Sequence, residues 1–383
     1  MNLDDIEAHL APSPDGADAL VDLSNVVRND RFGGPHPRSL DRLGMVIEAL
    51  ARRTSDRRVR VHALADRSLR HMPREYPSPR EPRLLAEWID RGTVVELPDV
   101  DGPLLELAEV TGLPVVSDDG FADFRELHPW IQGDTEHFLG VRPRAGGGVS
   151  VKRRNMGVRS PAEISRKVEE SDLKAHRLLQ GRERAPMVHV LKRSWRCPRR
   201  DCSLYDRNRG SRVRLPLMRG MRPVCEAHRV ELADDGPRPP IVQLKLMVDG
   251  ACVQRFTLEQ DTVVTVGRAP GEGGLALYGH LPGDLLARVS RSHLEATVRD
   301  GTVLVRNLSG NGTRVRRHGS PDWSPVSGVR ATGLDINDVV ELVPSVTLTR
   351  SARKYPPELA RAWQAAARRV PRDVQEETVV EKG

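Results

Sequence analysis

The chain has 383 residues, 38% hydrophobic and 30% charged, which is too long for one hydrophobic core and balanced as two or three globular domains are. No apolar run approaches the ~20 residues of a membrane span. The acidic opening (Asp4, Asp5, Glu7) lacks the basic start and apolar stretch of a secretory signal, and four cysteines are too few for a disulfide framework, so a reducing cytoplasmic setting with no membrane partner is expected. The net charge of +7 is unevenly spread: residues 191–230 hold twelve Lys/Arg against three Asp/Glu, and residues 142–159 add six bases (Arg142, Arg144, Lys152, Arg153, Arg154, Arg159) with no acid. A basic middle is the electrostatic footprint of a nucleic-acid binder. The bland alternative is an Arg-rich composition throughout.

In chain order, residues 19–23 form an apolar strand, and Ser39 caps a helix whose Leu43, Val46, Ile47 and Leu50 recur at helical spacing. A strand at 59–64, a helix at 84–89, a strand at 93–97, a helix at 104–110 and a strand at 113–116 follow. Strands alternating with helices predict a parallel α/β sheet. Residues 143–160, rich in Gly and Arg, read as a loop, and 161–179 as a polar, charged helix. The stretch 234–240, DDGPRPP, reads as a linker. Short β-branched runs broken by Gly, Pro and Asp then predict a β-sandwich. The expected plan is multidomain: an α/β domain at 18–160, a charged helix at 161–190, a basic segment at 191–233, the linker, an all-β sandwich at 241–348, and a short helix with a polar tail at 349–383.

Acidic residues stand where the first domain's strands end: Asp22, Asp66, and the pair Asp118 and Asp119. In a parallel sheet the strand C-termini share one edge, where ligands bind, and Asp101 before Leu104 opens a helix on that edge. Carboxylates converging on one crevice repel unless a divalent cation neutralises them, and hard Mg²⁺ or Mn²⁺ prefers such oxygen ligands. Such an ion activates water and stabilises charge on a phosphate undergoing displacement. A single Asp at a strand end also serves as a helix N-cap.

The order of these residues resembles NYN/PIN-type nucleases, particularly the Regnase-like branch. Asp22-Leu23-Ser24-Asn25 matches a D-x-S-N opening. Asp101, then Leu104-Leu105-Glu106-Leu107-Ala108, then Val115 through Asp119 with Asp123 four residues on, match the acidic segments that follow. The resemblance implies a metal pocket of Asp22, Asp101, Asp119 and Asp123, with Asn25 orienting a ligand or the scissile phosphate, and Asp66 and Asp118 as further acids. Relatives carry two adjacent acids before the helix where this chain has Val100-Asp101, so one or two metals stay open. The implied activity is metal-dependent cleavage of RNA, with single-stranded DNA an alternative substrate.

In the basic middle, Cys197-x4-Cys202 and Cys225-x2-His228 are two close pairs joined by a long loop, the way a Cys3His tetrahedral zinc site is assembled. With all four ligands from protein, such a site is structural, and its loop (Arg207, Arg209, Arg212, Arg214, Arg219, Arg222) offers charge to an RNA backbone. Cys252 reads as a buried core thiol.

The sandwich carries Val266-Gly267-Arg268, Val289-Ser290-Arg291-Ser292-His293, Arg306-Asn307-Leu308-Ser309 and Asn311-Gly312-Thr313. In order and spacing these resemble the signature of forkhead-associated (FHA) domains, which implies an eleven-strand sandwich reading phosphothreonine from loops at one end. Arg268 would fork onto the phosphate, as arginine does on multiply charged oxygens. Ser290 and Arg291 would supply further phosphate donors, Asn311 would hold the peptide backbone, and His293 would brace the loop. Gly310 stands where many relatives carry a Thr or Ser that touches the phosphothreonine. Thr378, set among Glu376, Glu377 and Glu381, resembles the acidic threonine sites that bacterial Ser/Thr kinases phosphorylate in small FHA regulators. The reader's partner is thus expected to be a phosphoprotein, a Ser/Thr kinase or the chain's own tail. The whole reads as a metal-dependent endoribonuclease governed by phosphothreonine recognition, the alternative being a non-catalytic RNA-binding scaffold that recruits a kinase or phosphoprotein.

Overall fold

The computed structural model describes residues 1–205 and 214–356. Arg207, Arg209 and Arg212 of the basic loop, and the tail with Thr378, lie outside the described residues. The chain forms two compact units, Met1–Val158 and Arg159–Gly383. Among the described residues no helix is long and apolar enough to cross a membrane.

The first unit opens with a short helix, α1 (Leu3–Ile6), and centres on a sheet of β1 (Ala19–Asp22), β2 (Val61–Asp66), β3 (Val94–Leu97), β4 (Val115–Val116), β5 (Phe138–Pro143) and β6 (Val149–Arg153) in the order β3-β2-β1-β4-β5-β6. The first five strands run parallel, and β6 returns antiparallel to β5. Every residue of β1 is buried, as suits a central strand covered on both faces. A one-turn helix, α2 (Leu23–Val27), follows β1. The longer helices are α3 (Asp41–Thr54), α4 (Arg80–Asp90) and α5 (Asp101–Thr111). Leu43, Val46, Ile47 and Leu50 of α3 pack in one buried cluster with Leu85 and Trp88 of α4, while Leu104, Leu105 and Ala108 of α5 pack in another with Phe121 and Phe138. The helices thus cover the two sheet faces and leave the strand ends clear.

Three expectations for this unit need correction. The fold begins before residue 18, because Ile6 and Leu10 are buried in the same cluster as α3. The helix expected from Ser39 starts at Asp41, and the Ser39 hydroxyl accepts the Asp41 N–H at 3.2 Å. Residues 143–160 are not wholly a loop: Val149 and Val151 alternate with Ser150 and Lys152, bury themselves, and make β6.

The second unit starts with α6 (Pro161–Ala175). Ser160 and Glu163 close a reciprocal capping box, and Pro161 sits in the first turn, where its missing N–H costs nothing. The helix ends at Ala175, short of the expected 179, and a small hairpin, β7 (Leu179–Gln180) and β8 (Ala185–Pro186), and α7 (Val188–Leu191) follow. Next come β9 (Arg193–Arg196), the hairpin of β10 (Leu217–Arg219) and β11 (Arg222–Val224), and β12 (Ala233–Pro237). The expected linker at 234–240 is corrected here. β12 occupies most of it, pairs antiparallel with β9, and is pinned by an Arg193–Asp234 ion pair at 2.8 Å.

Eleven strands build the sandwich. One sheet is β14 (Ala251–Glu259), β13 (Ile241–Val248), β23 (Val346–Arg350), β22 (Val339–Val343), β19 (Arg314–Arg316) and β20 (Trp323–Pro325). The other is β16 (Leu275–Ala276), β15 (Val263–Gly267), β17 (Leu294–Arg299), β18 (Thr302–Asn307) and β21 (Thr332–Leu334), with a short helix, α8 (Gly283–Arg288), between β16 and β17. Leu244 and Leu246 of β13 face the core between the sheets. Lys245 faces the other way and is nevertheless 1% exposed, because α6 covers it. Its ammonium donates to Ser165 of α6 at 3.2 Å. Glu169 accepts the Tyr355 N–H, and Asp172 meets Arg353 at 2.8 Å, so residues i, i+4 and i+7 of one helix face all serve the sandwich. The predicted charged helix belongs to this module and is not a separate element.

Candidate functional site

The acidic crevice forms at the C-terminal edge of the parallel sheet. Asp22 ends β1, caps α2 by accepting the Asn25 N–H at 3.0 Å, and accepts the Ser117 hydroxyl at 3.1 Å. It is 4% exposed. Burial pushes its pKa up to about 6; the Asn25 and Ser117 hydrogen bonds and Arg28 pull down, and Asp119 pushes up. Asp101 is the first residue of α5, and its pKa rises to about 7, first through burial and then through the carboxylates of Asp22, Asp119, Asp99 and Asp123. Of the predicted residues, Asp22, Asp119 and Asp123 therefore all act on Asp101.

The remaining predicted acids do other things. Asp118 turns away from the crevice. Its Oδ2 accepts Asn29 Nδ2 at 3.0 Å, and its Oδ1 accepts Arg142 at 3.0 Å and the Val141 N–H at 3.3 Å. It stands next to Asp119 in sequence, yet its side chain is spent on β5 and Asn29. Asp66 caps the turn after β2, accepting the Ser68 N–H at 2.7 Å, the bland role of an Asp at a strand end. Asn25 spends its carbonyl on the Asp118 N–H at 2.9 Å, so it positions the loop after β4. Sequence reasoning missed Asp99 and Ser117. An acid two residues before Asp101 was the available signal for the first. Ser117 joins Asp22 to Asp119 by also accepting the Asp119 N–H at 3.1 Å, a role with no signature in sequence.

The cysteine–histidine knuckle gathers Cys197, Cys202, Cys225 and His228, whose ligand atoms all lie within 4.8 Å of one another. Cys202 and Cys225 sulfurs are 3.7 Å apart, and His228 Nδ1 is 3.6 Å from the sulfurs of Cys197 and Cys225. A tetrahedron with metal–sulfur bonds of about 2.3 Å has edges near these lengths. All three cysteines are buried, and burial with the neighbouring thiols raises Cys197 to about 11, so a cation is needed to hold thiolates here. Among the described residues these four are the possible metal ligands found gathered so closely. Arg229 takes a left-handed φ of 55° and donates to the Cys225 carbonyl at 2.7 Å, closing the turn that aims Cys225 and His228 together. Glu226, between these two ligands, pairs with His176 at 3.3 Å and Arg214 at 3.0 Å.

At one end of the sandwich the four motif segments meet. Gly267 ends β15 so close to the next segment that a Cβ would lie 2.1 Å from the Arg291 carbonyl oxygen. The N–H groups of Arg268 and Ala269 donate to the carbonyls of Ser290 and Arg291 at 3.1 and 3.2 Å. His293, fully buried, accepts the Ser290 N–H at Nδ1, 3.1 Å away. Burial lowers its pKa to about 4, so the ring stays neutral and the brace holds at physiological pH. The hydroxyls of Ser290 and Ser309 are 2.7 Å apart, and Ser309 Oγ accepts the Asn311 N–H at 3.1 Å. Asn311 Nδ2 reaches the Arg288 carbonyl at 3.4 Å, and Gly312 adopts a φ of 81°. Arg268 is 4% exposed, and Arg291 lies at the surface. Around Gly310 nothing stands within 4 Å of where a Cβ would be. Ser309 closes the third motif segment, and its link to both Ser290 and Asn311 emerges only in three dimensions. Two hydroxyls and two guanidinium-bearing residues gathered on tied loops are suited to a phosphate.

No protein-family model matches the chain, and no curated protein matches it. Among solved structures it is similar to the FHA domain of the CT664 protein from Chlamydia trachomatis, at 22% identity and a TM-score of 0.21, covering 29% of this chain and 95% of that one. The FHA domain of human APLF in complex with an XRCC1 bisphospho peptide is 20% identical, with a TM-score of 0.22 and coverage of 28% and 96%. The FHA domain of an Arabidopsis thaliana hypothetical protein is 17% identical, with a TM-score of 0.25 and coverage of 31% and 92%.

Proposed function

We propose that the chain is a phosphothreonine-guided, metal-dependent ribonuclease, in which the sandwich reads a phosphorylated partner and the α/β unit cuts RNA. The observation that carries the reader is the Gly267 contact: a backbone approach this close lets Arg268 and the Ser290–Arg291 pair share one loop cluster. Arg268, Ser290 and Arg291 meet the phosphate, Asn311 holds the partner's backbone, and His293 keeps Ser290 in place. What supports cleavage is the convergence of Asp22, Asp99, Asp119 and Asp123 on Asp101. Burial first, and then the neighbouring carboxylates, oppose ionisation of Asp101, and a bound cation would reverse this, which is the property of a carboxylate metal pocket. Bound Mg²⁺ or Mn²⁺ would supply an activated water and positive charge for the phosphate. Zinc suits the knuckle, whose three sulfurs, one imidazole and fully occupied tetrahedron fit a structural ion.

The alternative is a scaffold that binds RNA without cutting it. Incubating the full chain with labelled RNA and single-stranded DNA, with and without Mn²⁺, decides between them. Cleavage that Asp22→Asn and Asp119→Asn abolish upholds the enzyme. A wild-type protein that cuts neither polymer, yet retains phosphothreonine-peptide binding sensitive to Arg268→Ala, leaves only the scaffold.

A further inference from the structure

The hairpin of β5 and β6 has two unlike faces. Its register sets Gly140 opposite Lys152 and Arg142 opposite Ser150. Residues 138, 140 and 142 therefore share a face with 150 and 152, and Arg154 continues it, since side chains alternate along a strand. Leu139, Val141, Val149 and Val151 take the other face and pack with α3. Gly140 is the opening in the basic face: a Cβ there would come within 3.2 Å of Asp118 Oδ1, 3.5 Å of Arg154 and 3.7 Å of Arg142. The Asp118 carboxylate thus rests on Gly140 between the two arginines. Arg142 pairs with it at 3.0 Å, and Arg154 donates to the carbonyls of Ser117 and Asp119. This fastens the basic face to the segment that carries Asp119 into the crevice. Lys152, and Arg144 at the turn, are exposed. The turn itself runs through Gly146, Gly147 and Gly148, with φ of 90°, 99° and 72°, so no side chain obstructs its tip.

We propose that this face is a backbone track that leads single-stranded RNA over the hairpin and down into the acidic crevice. Arg142, Arg144 and Lys152 are its sequence-independent phosphate contacts. Asp118 belongs to the track as the counter-ion that keeps Arg142 extended until a phosphate takes its place. Charge complementarity selects the partner, since residues 138–154 of the hairpin hold five bases and no acid. Depth selects the single strand, because Asp22 is too buried for a duplex phosphate to approach. The end of the track rests on the ribonuclease reading above, whereas the binding itself does not.

The test is equilibrium binding of a short fluorescein-labelled oligouridine to the full chain without divalent cation, across a salt series. The Arg144→Ala/Lys152→Ala variant should lose about 10-fold in affinity, and its slope of log K against log salt should flatten by about 1.4, from ~0.7 per lost contact on a single strand. Arg144→Lys/Lys152→Arg should bind as wild type does. An alanine variant with unchanged affinity and slope overturns the proposal, as does a wild type that does not bind. With Mn²⁺ added, the alanine variant should show a raised KM and an unchanged kcat. Cleavage by wild type with no effect of the alanine variant removes the track and leaves the nuclease. Hairpin-dependent binding with no cleavage removes the nuclease and leaves the track.

Discussion

Asp101 is the residue at which the crevice is most responsive to pH. Its carboxyl sits at about 7, against 3.8 for the unperturbed side chain. Between those values the folded protein holds a proton that the unfolded chain has released, so stability falls as pH rises through that window and stays lowered above it. Asp101→Asn, which cannot ionise, should therefore stabilise the cation-free protein at pH 7.5 by on the order of 1–2 kcal/mol once its partial exposure is discounted. The gain should vanish near pH 4. Thermal melts across pH without divalent cation measure it; Mn²⁺ should raise the Tm of wild type, and the same variant should lose that rise. Two glycines in the loop cluster predict opposite outcomes. Gly267→Ala drives a Cβ into the Arg291 carbonyl and should destabilise by about 1–3 kcal/mol and abolish phosphothreonine-peptide binding. Gly310→Thr enters open space and should tighten binding several-fold, since its hydroxyl adds a donor beside the phosphate. Fluorescence polarisation with a phosphothreonine peptide, and its unphosphorylated form as control, reads both.

Among the elements, what was legible followed period and punctuation. The 3.6-residue spacing of Leu43, Val46, Ile47 and Leu50 marks α3, and Asp22 ends β1, Asp101 opens α5, and Asp119 and Asp123 lie in the segment after β4, where topology brings them together. The two Cys/His pairs were legible because close ligand spacing is needed to make a knuckle. What escaped depended on partners far away in sequence. β12 reads as a linker because Asp, Gly and Pro disfavour strands, yet pairing with β9 and the Arg193 fork on Asp234 hold it extended. Asp118 reads like Asp119 and is told apart only by Arg142 and Asn29, 24 and 89 residues distant. Within the knuckle, Cys202→Ser should release one zinc per chain by elemental analysis and expose residues 191–233 to proteolysis. Protein purified without chelator that contains no zinc would refute the ion's identity.

For the molecule as a whole, α6 sets where the second module begins. A fragment starting at 241 would leave Lys245 without its cover, and it should unfold at a lower temperature than one starting at 159. Removing the Arg353 side chain, which is 3% exposed and pairs with Asp172, itself a third exposed, should cost about 2 kcal/mol in Arg353→Ala, read by urea unfolding. The same helix constrains the order of assembly. Ser165, Asp172 and Glu169 meet partners 80, 181 and 186 residues further along. As the chain leaves the ribosome, the polar seam of α6 is therefore made early and completed only when residues 353–355 emerge, after the last sandwich strand. A nascent or truncated chain stopping short of Arg353 has an open seam, and it is in that interval that chaperones or proteases would meet it.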